Sequence, residues 1–351
     1  MHSFKRTLWK MLAFVLLVIL VTEVITEPYF QNEIFHYQDA TVRDSFAGTL
    51  DVLICGSSHA YRGISPQMLD EKLGCCSYNL STSLMTMTGR YEMLKRELDR
   101  NPVNLVILDV SYNSMTRDRD KEGPEGDLYQ LGRYTNLLER MSYFFRHFRL
   151  NEYGRAYYDT LNRGVTAWRK LLNGEGKRGS SDKYQTKGWQ PAPSDFYPIV
   201  SIVEEESFHT KALNTQFNAQ DVEYMRKMVE LCKERDIAVI VVAVPITQYM
   251  TLMYSGMDEI YEGCCSLFQE WEVPFYDFNL YRGKTKLFPD ETAYYDINHL
   301  SESGAWAFTA ELITLLEALK AGTDTTAWFY TSYSEAEQAA LGGYDQPVTK
   351  E

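Results

Sequence analysis

The chain has 351 residues, a length that suits one large globular domain with additional segments. Its formal net charge of -13 argues against a nucleic-acid partner, because a surface that binds DNA or RNA must attract phosphates. None of its six cysteines shows the Cys-x-x-Cys spacing of a zinc or redox site. The adjacent pairs Cys75-Cys76 and Cys264-Cys265 could form a disulfide with each other across the fold, and the sequence alone does not decide this.

The N-terminal segment is typical of a membrane anchor. Lys5 and Arg6 precede an apolar run over residues 11–21, and Glu23 follows it. Basic residues before the run and acidic residues after it predict a cytoplasmic start and an exported remainder. No Ala-x-Ala-like cleavage site follows, so we favour an uncleaved anchor over residues 1–27 rather than a removed signal peptide. The sequence thus predicts a single-pass anchor in the cell membrane and an extracytoplasmic globular domain over residues 28–320.

Strand-like apolar runs alternate with helical patterns through the globular part of the chain. Continuous β-branched runs separated by helices indicate a parallel sheet that is covered on both faces. The predicted fold class is therefore α/β. Strands are expected over residues 51–55, 75–78, 105–110, 237–244 and 275–278, and helices over 66–72, 91–98, 221–234, 257–270 and 305–319.

The region between residues 114 and 190 interrupts this alternation. It holds 15 basic and 10 acidic residues, a formal charge of +5, and it is rich in aromatic residues. Helical patterns over 137–148 and 155–172 suggest a helical, lid-like insertion, which we place over residues 114–205. A basic and aromatic surface suits an anionic or glycan polymer, but the aromatic residues are equally explained as packing between insertion and sheet.

The C-terminal segment loses apolar periodicity after residue 320. Residues 321–351 are rich in Gly, Thr, Ser, Ala and Glu, which predicts a mostly disordered tail. A short helix is expected near residues 335–341.

Two short motifs near opposite ends of the globular part carry the chemistry. The sequence Gly56-Ser57-Ser58 breaks the first strand, and Asp296-Ile297-Asn298-His299 precedes the last helix. An aspartate three residues before a histidine can orient its ring, and an oriented imidazole can take the proton of a serine hydroxyl. Ser57 is a competing nucleophile, and His59 is a less suitable base because it adjoins Ser58 in sequence. Alternatively, the first motif is an ordinary turn and His299 a helix-entry residue.

This pair of motifs resembles the SGNH/GDSL hydrolase superfamily, and the resemblance spans roughly residues 49–320. It implies a three-layer, flavodoxin-like SGNH hydrolase fold with Ser58 as nucleophile, His299 as base and Asp296 as its orienting partner. It implies no metal and no cofactor. The layout is closest to the membrane-anchored, cell-surface members, which include the protein that transfers D-alanine to teichoic acids and related envelope acyl esterases.

The oxyanion donors depart from the family pattern. The resemblance implies a glycine N–H from a second block and an asparagine from a Gly-x-Asn-Asp block, and this chain has neither motif. The Ser58 N–H, Asn79 and Asn113 remain as candidate donors. Each asparagine is equally explained as a turn residue that bonds its own backbone.

The sequence favours a serine-dependent acyl esterase or O-acyltransferase that acts on a cell-envelope polymer. The expected partners are a cell-envelope polysaccharide or teichoic-acid-like polymer and a membrane-bound O-acyltransferase, and no nucleic acid. Hydrolysis and transfer stay open, since they differ only in the final acceptor. The alternative is a non-catalytic surface protein that binds a glycan or a partner on the same fold.

Overall fold

The computed structural model describes residues 2–32, 42–117, 123–131, 133–134, 136–174, 187–192, 208–290 and 292–342. The chain divides into two compact units. The helical unit comprises residues 1–45 and 123–185, and the sheet unit comprises residues 46–122 and 186–351.

Seven strands and the helices between them follow one another along the described part of the chain. The strands are β1 (Val52–Cys55), β2 (Ser77–Asn79), β3 (Leu105–Asp109), β4 (Lys211–Ala212), β5 (Ala238–Ala243), β6 (Tyr254–Ser255) and β7 (Phe275–Asp277). The helices are α1 (His2–Asn32), α2 (Ser58–Gly63), α3 (Pro66–Leu73), α4 (Met87–Leu98), α5 (Glu125–Leu131), α6 (Leu137–His147), α7 (Tyr153–Leu172), α8 (Ala219–Lys233), α9 (Gln248–Met253), α10 (Met257–Glu270), α11 (Lys284–Leu287), α12 (Glu302–Lys320) and α13 (Tyr333–Gly342).

The sheet unit is built on a parallel sheet with the strand order β2-β1-β3-β5-β7. This is the flavodoxin-like order, in which the chain leaves β1 to one side and later crosses to the other. The crevice between the two directions of winding lies beyond the carboxyl ends of β1 and β3, where ligands bind in open α/β sheets. Strands β4 and β6 form a separate parallel pair that the sequence patterns did not predict.

Helices cover both faces of this sheet, because alternate side chains of its buried strands point to opposite sides. On one face Ile54, Ile107 and Val242 belong to a core that includes Phe308 and Leu312 of α12. On the other face α4 packs against β1 and α8 packs against β5. The predicted α/β class with a central parallel sheet is confirmed.

The helical unit contains α1, α5, α6 and α7. Polar contacts hold its helices together: the buried Tyr143 donates to Asp127 Oδ1 at 2.7 Å, and the partly exposed Arg163 pairs with Glu125 at 2.8 Å. The predicted helices over 137–148 and 155–172 are present as α6 and α7. The lid role of this insertion stays a prediction, and residues 118–122, 175–186 and 193–205 of it lie outside the described residues.

The prediction of a disordered tail is wrong for residues 321–342. Thr326–Trp328 forms a 3-10 turn, and α13 follows it close to the predicted short helix. The Tyr333 hydroxyl donates to the buried Asp277 carboxylate at 2.7 Å, and Phe329 packs on Phe278. A few large aromatic side chains anchor this segment without the periodicity of an amphipathic helix, which is why the sequence pattern did not reveal it. Residues 343–351 lie outside the described residues.

Candidate active site

A sharp turn presents Ser58 at the carboxyl end of β1. The turn passes Gly56, where a Cβ atom would lie 2.5 Å from the Asp109 Cβ and 2.7 Å from the Ala60 Cβ. Only glycine fits such a close approach of β1, β3 and α2. Ser57 caps α2, and Ser58 is its first residue, with a partly exposed side chain. The sequence order apolar strand, glycine, two serines therefore places one serine inward and the next at the surface.

A closed loop before α12 carries the second motif. Tyr294 and Leu300 form an antiparallel bridge that closes the loop, and the Tyr295 N–H donates to the His299 carbonyl at 2.8 Å. The hydroxyl of Thr247, which follows β5, donates to the Ile297 carbonyl at 2.8 Å. These bonds hold the loop at the carboxyl edge of the sheet.

The two motifs meet although they lie 241 residues apart in the sequence. His299 Nε2 lies 2.8 Å from Ser58 Oγ, and His299 Nδ1 lies 2.9 Å from both carboxylate oxygens of Asp296. The side chain of His299 is 21 % exposed and that of Asp296 is 38 % exposed, so the group is open to solvent and to a substrate. The structure thus brings together the serine, histidine and aspartate that the motifs single out.

The protonation pattern follows from these contacts. Partial burial raises the pKa of Asp296, but hydrogen bonding to His299, its charge and two backbone N–H groups outweigh burial and bring the pKa below its ordinary value. An ionised Asp296 accepts a hydrogen bond from Nδ1–H of His299. Nε2 then carries the lone pair, and the Ser58 hydroxyl donates to it. This is the tautomer that a general base requires.

A second polar group lies directly behind this one and uses Ser57, His59 and Asp109. Asp109 is fully buried, and its Oδ2 accepts hydrogen bonds from the Ser57 N–H at 3.1 Å and the Ser57 hydroxyl at 3.0 Å. Burial raises the pKa of Asp109, while the nearby charge of Arg90 and the Ser57 bonds lower it, and the net change is upward. Ser57 is therefore a structural residue of the turn, with its hydroxyl committed to Asp109.

His59 contributes an imidazole that stays neutral. Its ring stacks on that of His299 with centroids 5.1 Å apart, and its Nδ1 lies 3.1 Å from Ser57 Oγ. Since the Ser57 hydroxyl donates to Asp109, Nδ1 must be the protonated nitrogen of His59. Burial, together with the charge of His299, lowers the pKa of His59 to about 3. In the described part of the chain His59 makes no direct hydrogen bond to Ser58, and it stays a prediction that His59 is not the base.

The oxyanion candidates differ in what their donors do. Asn79 is fully buried, and its Nδ2 donates to the carbonyls of Ala60 at 2.9 Å and Ile64 at 3.0 Å. Both of its amide hydrogens are therefore used, so the expectation of Asn79 as an oxyanion donor is wrong for this conformation. Asn79 instead acts as a turn residue that bonds its own backbone region, since its Oδ1 accepts a hydrogen bond from the Ser81 N–H at 3.1 Å.

Asn113 and the Ser58 N–H remain as candidates. Asn113 is exposed, and its Oδ1 accepts a hydrogen bond from the Ser111 hydroxyl at 3.2 Å, which leaves the amide NH₂ to other acceptors. The N–H of Ser58 belongs to the first turn of α2, where a helix has no internal acceptor for it. The neighbouring Tyr112 hydroxyl donates to Asn298 Oδ1 at 3.4 Å, so the loop after β3 touches the loop of His299.

Sequence reasoning missed the roles of Asp109, Arg90 and Ser57. An aspartate at the end of an otherwise apolar buried strand was the available signal, because a buried carboxylate needs hydrogen-bond donors nearby. Ser57 supplies those donors, while Arg90 contributes a nearby positive charge and donates from Nη1 to the backbone carbonyl of Asp109 at 2.5 Å. Among residues that the structure describes, no group of three or more His, Cys, Asp or Glu side chains is arranged to hold a metal ion.

Comparisons with known proteins add little detail. No family model matches the chain, and no curated protein matches it. Among solved structures it is similar to a proposed acylhydrolase from Bacteroides fragilis, with 11% identity, a TM-score of 0.37 and coverage of 78% of this chain and 91% of that one. It is also similar to a proposed platelet activating factor from Streptococcus pneumoniae, with 11% identity, a TM-score of 0.39 and coverage of 86% and 99%. Overlaps this loose carry no information on activity, and the fold class rests on the strand order.

Proposed function

We propose that the protein is a serine-dependent acyl esterase or O-acyltransferase with Ser58 as nucleophile, His299 as general base and Asp296 as orienting carboxylate. The observation that carries the proposal is the continuous chain of short contacts from Ser58 Oγ through both nitrogens of His299 to Asp296. A non-catalytic binding protein has no need of a serine within 2.8 Å of a base that is itself oriented. The resemblance of the two motifs to the SGNH/GDSL superfamily points to the same chemistry.

The reaction follows from the geometry. His299 Nε2 takes the Ser58 proton as Oγ attacks the ester carbonyl, and the developing imidazolium is stabilised by Asp296. The tetrahedral intermediate expels the alcohol, which receives the proton from Nε2, and an acyl-Ser58 ester remains. Water or a sugar hydroxyl then donates its proton to Nε2 and attacks this ester. The bond between the acyl carbon and Oγ breaks, Oγ takes the proton back from Nε2, and a carboxylic acid or an acylated sugar is released. Hydrolysis and transfer therefore share every protein group and differ in the acceptor.

The developing oxyanion needs donors close to Ser58, and the Ser58 N–H and the Asn113 amide are our candidates. Removal of one oxyanion donor typically lowers kcat by about 10²–10³-fold. We expect Asn113→Ala to lower kcat for p-nitrophenyl acetate within this range and to leave KM nearly unchanged. The matched control is Asn298→Ala, because Asn298 offers its carbonyl oxygen to Tyr112. An unchanged kcat in Asn113→Ala would remove Asn113 from the oxyanion site.

The proposed substrate is an acylated cell-envelope polymer, such as a polysaccharide or a teichoic-acid-like chain. One helix, over residues 4–29, is long and apolar enough to cross a membrane, which suits either an anchor or a signal sequence. We propose the anchor, with the sheet unit outside the cytoplasmic membrane. An enzyme held there meets envelope polymers, and a membrane-bound O-acyltransferase is the proposed donor of acyl groups.

The test is labelling of the full chain in detergent with a fluorophosphonate, which reacts with activated serines. We expect the parent to label and Ser58→Ala and His299→Ala to remain unlabelled. Ser57→Ala is the matched control, because it removes the adjacent hydroxyl and should still label. Absence of labelling in a folded parent, or labelling that survives in Ser58→Ala, would overturn the proposed nucleophile.

A further inference from the structure

The exposure of α1 changes sharply near residue 22. From residue 4 to residue 21 every side chain except that of Ile19 is exposed, whereas Thr26, Pro28 and Tyr29 are buried. A helical rise of 1.5 Å per residue makes the exposed stretch about 27 Å long, close to the hydrocarbon thickness of a bilayer. On the proposed anchor, which this inference presupposes, the membrane therefore ends near residue 22.

Helix α7 crosses α1 at that level. At Gly164 a Cβ atom would lie 2.4 Å from the Ile25 carbonyl oxygen, so the two helix backbones touch there. Trp168 Nε1 donates to the Val24 carbonyl at 3.0 Å. These contacts lie within the helical unit and fix α7 beside the end of the apolar stretch.

Beside this contact α7 leaves a band of apolar side chains uncovered. The spacing of three and four residues places them on one face of the helix. Leu172 is 81% exposed and Tyr158 is 67% exposed. Thr166 is also exposed but lies about 80° further around the helix than Tyr158, outside this band. We call this band the α7 stripe; it consists of Tyr157, Tyr158, Leu161, Val165, Trp168 and Leu172.

The stripe continues the apolar surface of α1. The Tyr157 hydroxyl hydrogen-bonds Thr22 Oγ1 at 2.8 Å, so one edge of the stripe adjoins the membrane-facing side of the anchor. Arg169 lies at its other edge, and α6 of the same unit exposes Phe145 by 58%. Tyrosine and tryptophan prefer the level of the lipid headgroups, and basic residues beside an apolar helix face favour anionic lipids.

We propose that the α7 stripe lies in the interfacial layer of the lipid bilayer and forms a second membrane contact beside the anchor. A second copy of the chain would also cover an apolar face. The membrane is the better occupant, because the stripe lies where the apolar stretch of α1 ends and carries the aromatic and basic residues that interfaces attract. The helical unit is then held against the membrane surface by two helices rather than one.

The test places a photoreactive residue on the full chain in nanodiscs of mixed zwitterionic and anionic phospholipid. Tyr158→p-benzoylphenylalanine and Leu172→p-benzoylphenylalanine probe the stripe, and the same change at Thr166, which is exposed outside the stripe, is the matched control. We expect irradiation to add the mass of one phospholipid to the two stripe variants and not to the Thr166 variant.

A fourth variant separates this inference from the anchor. Leu12→p-benzoylphenylalanine should form a lipid adduct if α1 spans the bilayer, whatever α7 does. Adducts at position 12 without adducts at 158 and 172 would overturn the interfacial stripe and leave the anchor standing. Crosslinks from 158 or 172 to a second copy would assign the stripe to a dimer and overturn the proposal. No adduct at position 12 would overturn the anchor, whereas fluorophosphonate labelling tests the proposed chemistry independently.

Discussion

His59 and His299 have rings only 5.1 Å apart, yet they have different surroundings and, in our proposal, different roles. His299 is partly exposed and lies against an ionised carboxylate, and its Nε2 accepts a hydrogen bond from a serine at the surface. His59 is buried and reaches its aspartate only through the hydroxyl of Ser57. The difference teaches that a carboxylate in direct contact prepares an imidazole to accept a proton, while burial behind a neutral hydroxyl keeps one uncharged.

The sharpest test of this contrast exchanges each histidine for glutamine. We expect His299→Gln to lower the rate constant for acylation of Ser58 by roughly 10⁴–10⁶-fold, as loss of a base does in serine hydrolases. His59→Gln should lower it by no more than about tenfold, because His59 touches no reacting atom in our proposal. Stopped-flow hydrolysis of p-nitrophenyl acetate measures both rates. Equal losses of the acylation rate constant in the two variants would contradict the proposal that only His299 acts as the base.

The next test removes the charge that orients His299. Asp296→Asn keeps the shape of the loop but presents an amide NH₂ to Nδ1, which favours the wrong tautomer. We expect kcat to fall by about 10⁴-fold while the melting temperature changes little. The pH dependence of kcat supplies the control, since a correctly folded variant should regain part of its rate at high pH. A variant that keeps most of its kcat would show that Asp296 is only a loop residue.

The smallest expected effect concerns stability. The pKa of His59 is lowered to about 3, so between that pH and its ordinary pKa of 6.5 the unfolded chain binds a proton that the folded chain excludes. Above pH 6.5 His59 is neutral in both states and costs no stability. As the pH falls below 6.5, the proton bound by the unfolded chain lowers the free energy of unfolding. Between pH 7.5 and pH 5 this linkage costs about 2 kcal/mol. Thermal unfolding should therefore show a smaller loss of stability over this interval in His59→Gln than in the parent. Identical losses would show that His59 is protonated in the folded protein.

The sequence was sufficient for the sheet and for bringing Ser58 and His299 together, for physical reasons. A run such as residues 237–244 is too apolar and β-branched for anything but a buried strand, and an aspartate three residues before a histidine is a local geometry. The use of the Asn79 amide was not predictable, since its partners, the carbonyls of Ala60 and Ile64, come from a different helix region. The packing of the C-terminal segment was not predictable for a similar reason, because the hydrogen bond from Tyr333 goes to Asp277, which is distant in the sequence.

The separation of Ser58 and His299 has a consequence for biosynthesis. The aspartate and histidine belong to one loop and can assemble as soon as that loop forms, but Ser58 leaves the ribosome 241 residues earlier than His299. If the sheet unit is exported as proposed, the serine therefore crosses the membrane without His299 beside it. On our proposal its reactivity appears only when β1 and the last loop have both joined the finished sheet. A serine-directed probe would then report the completion of folding in the cell, and a chain interrupted before residue 299 would be inert rather than an uncontrolled esterase.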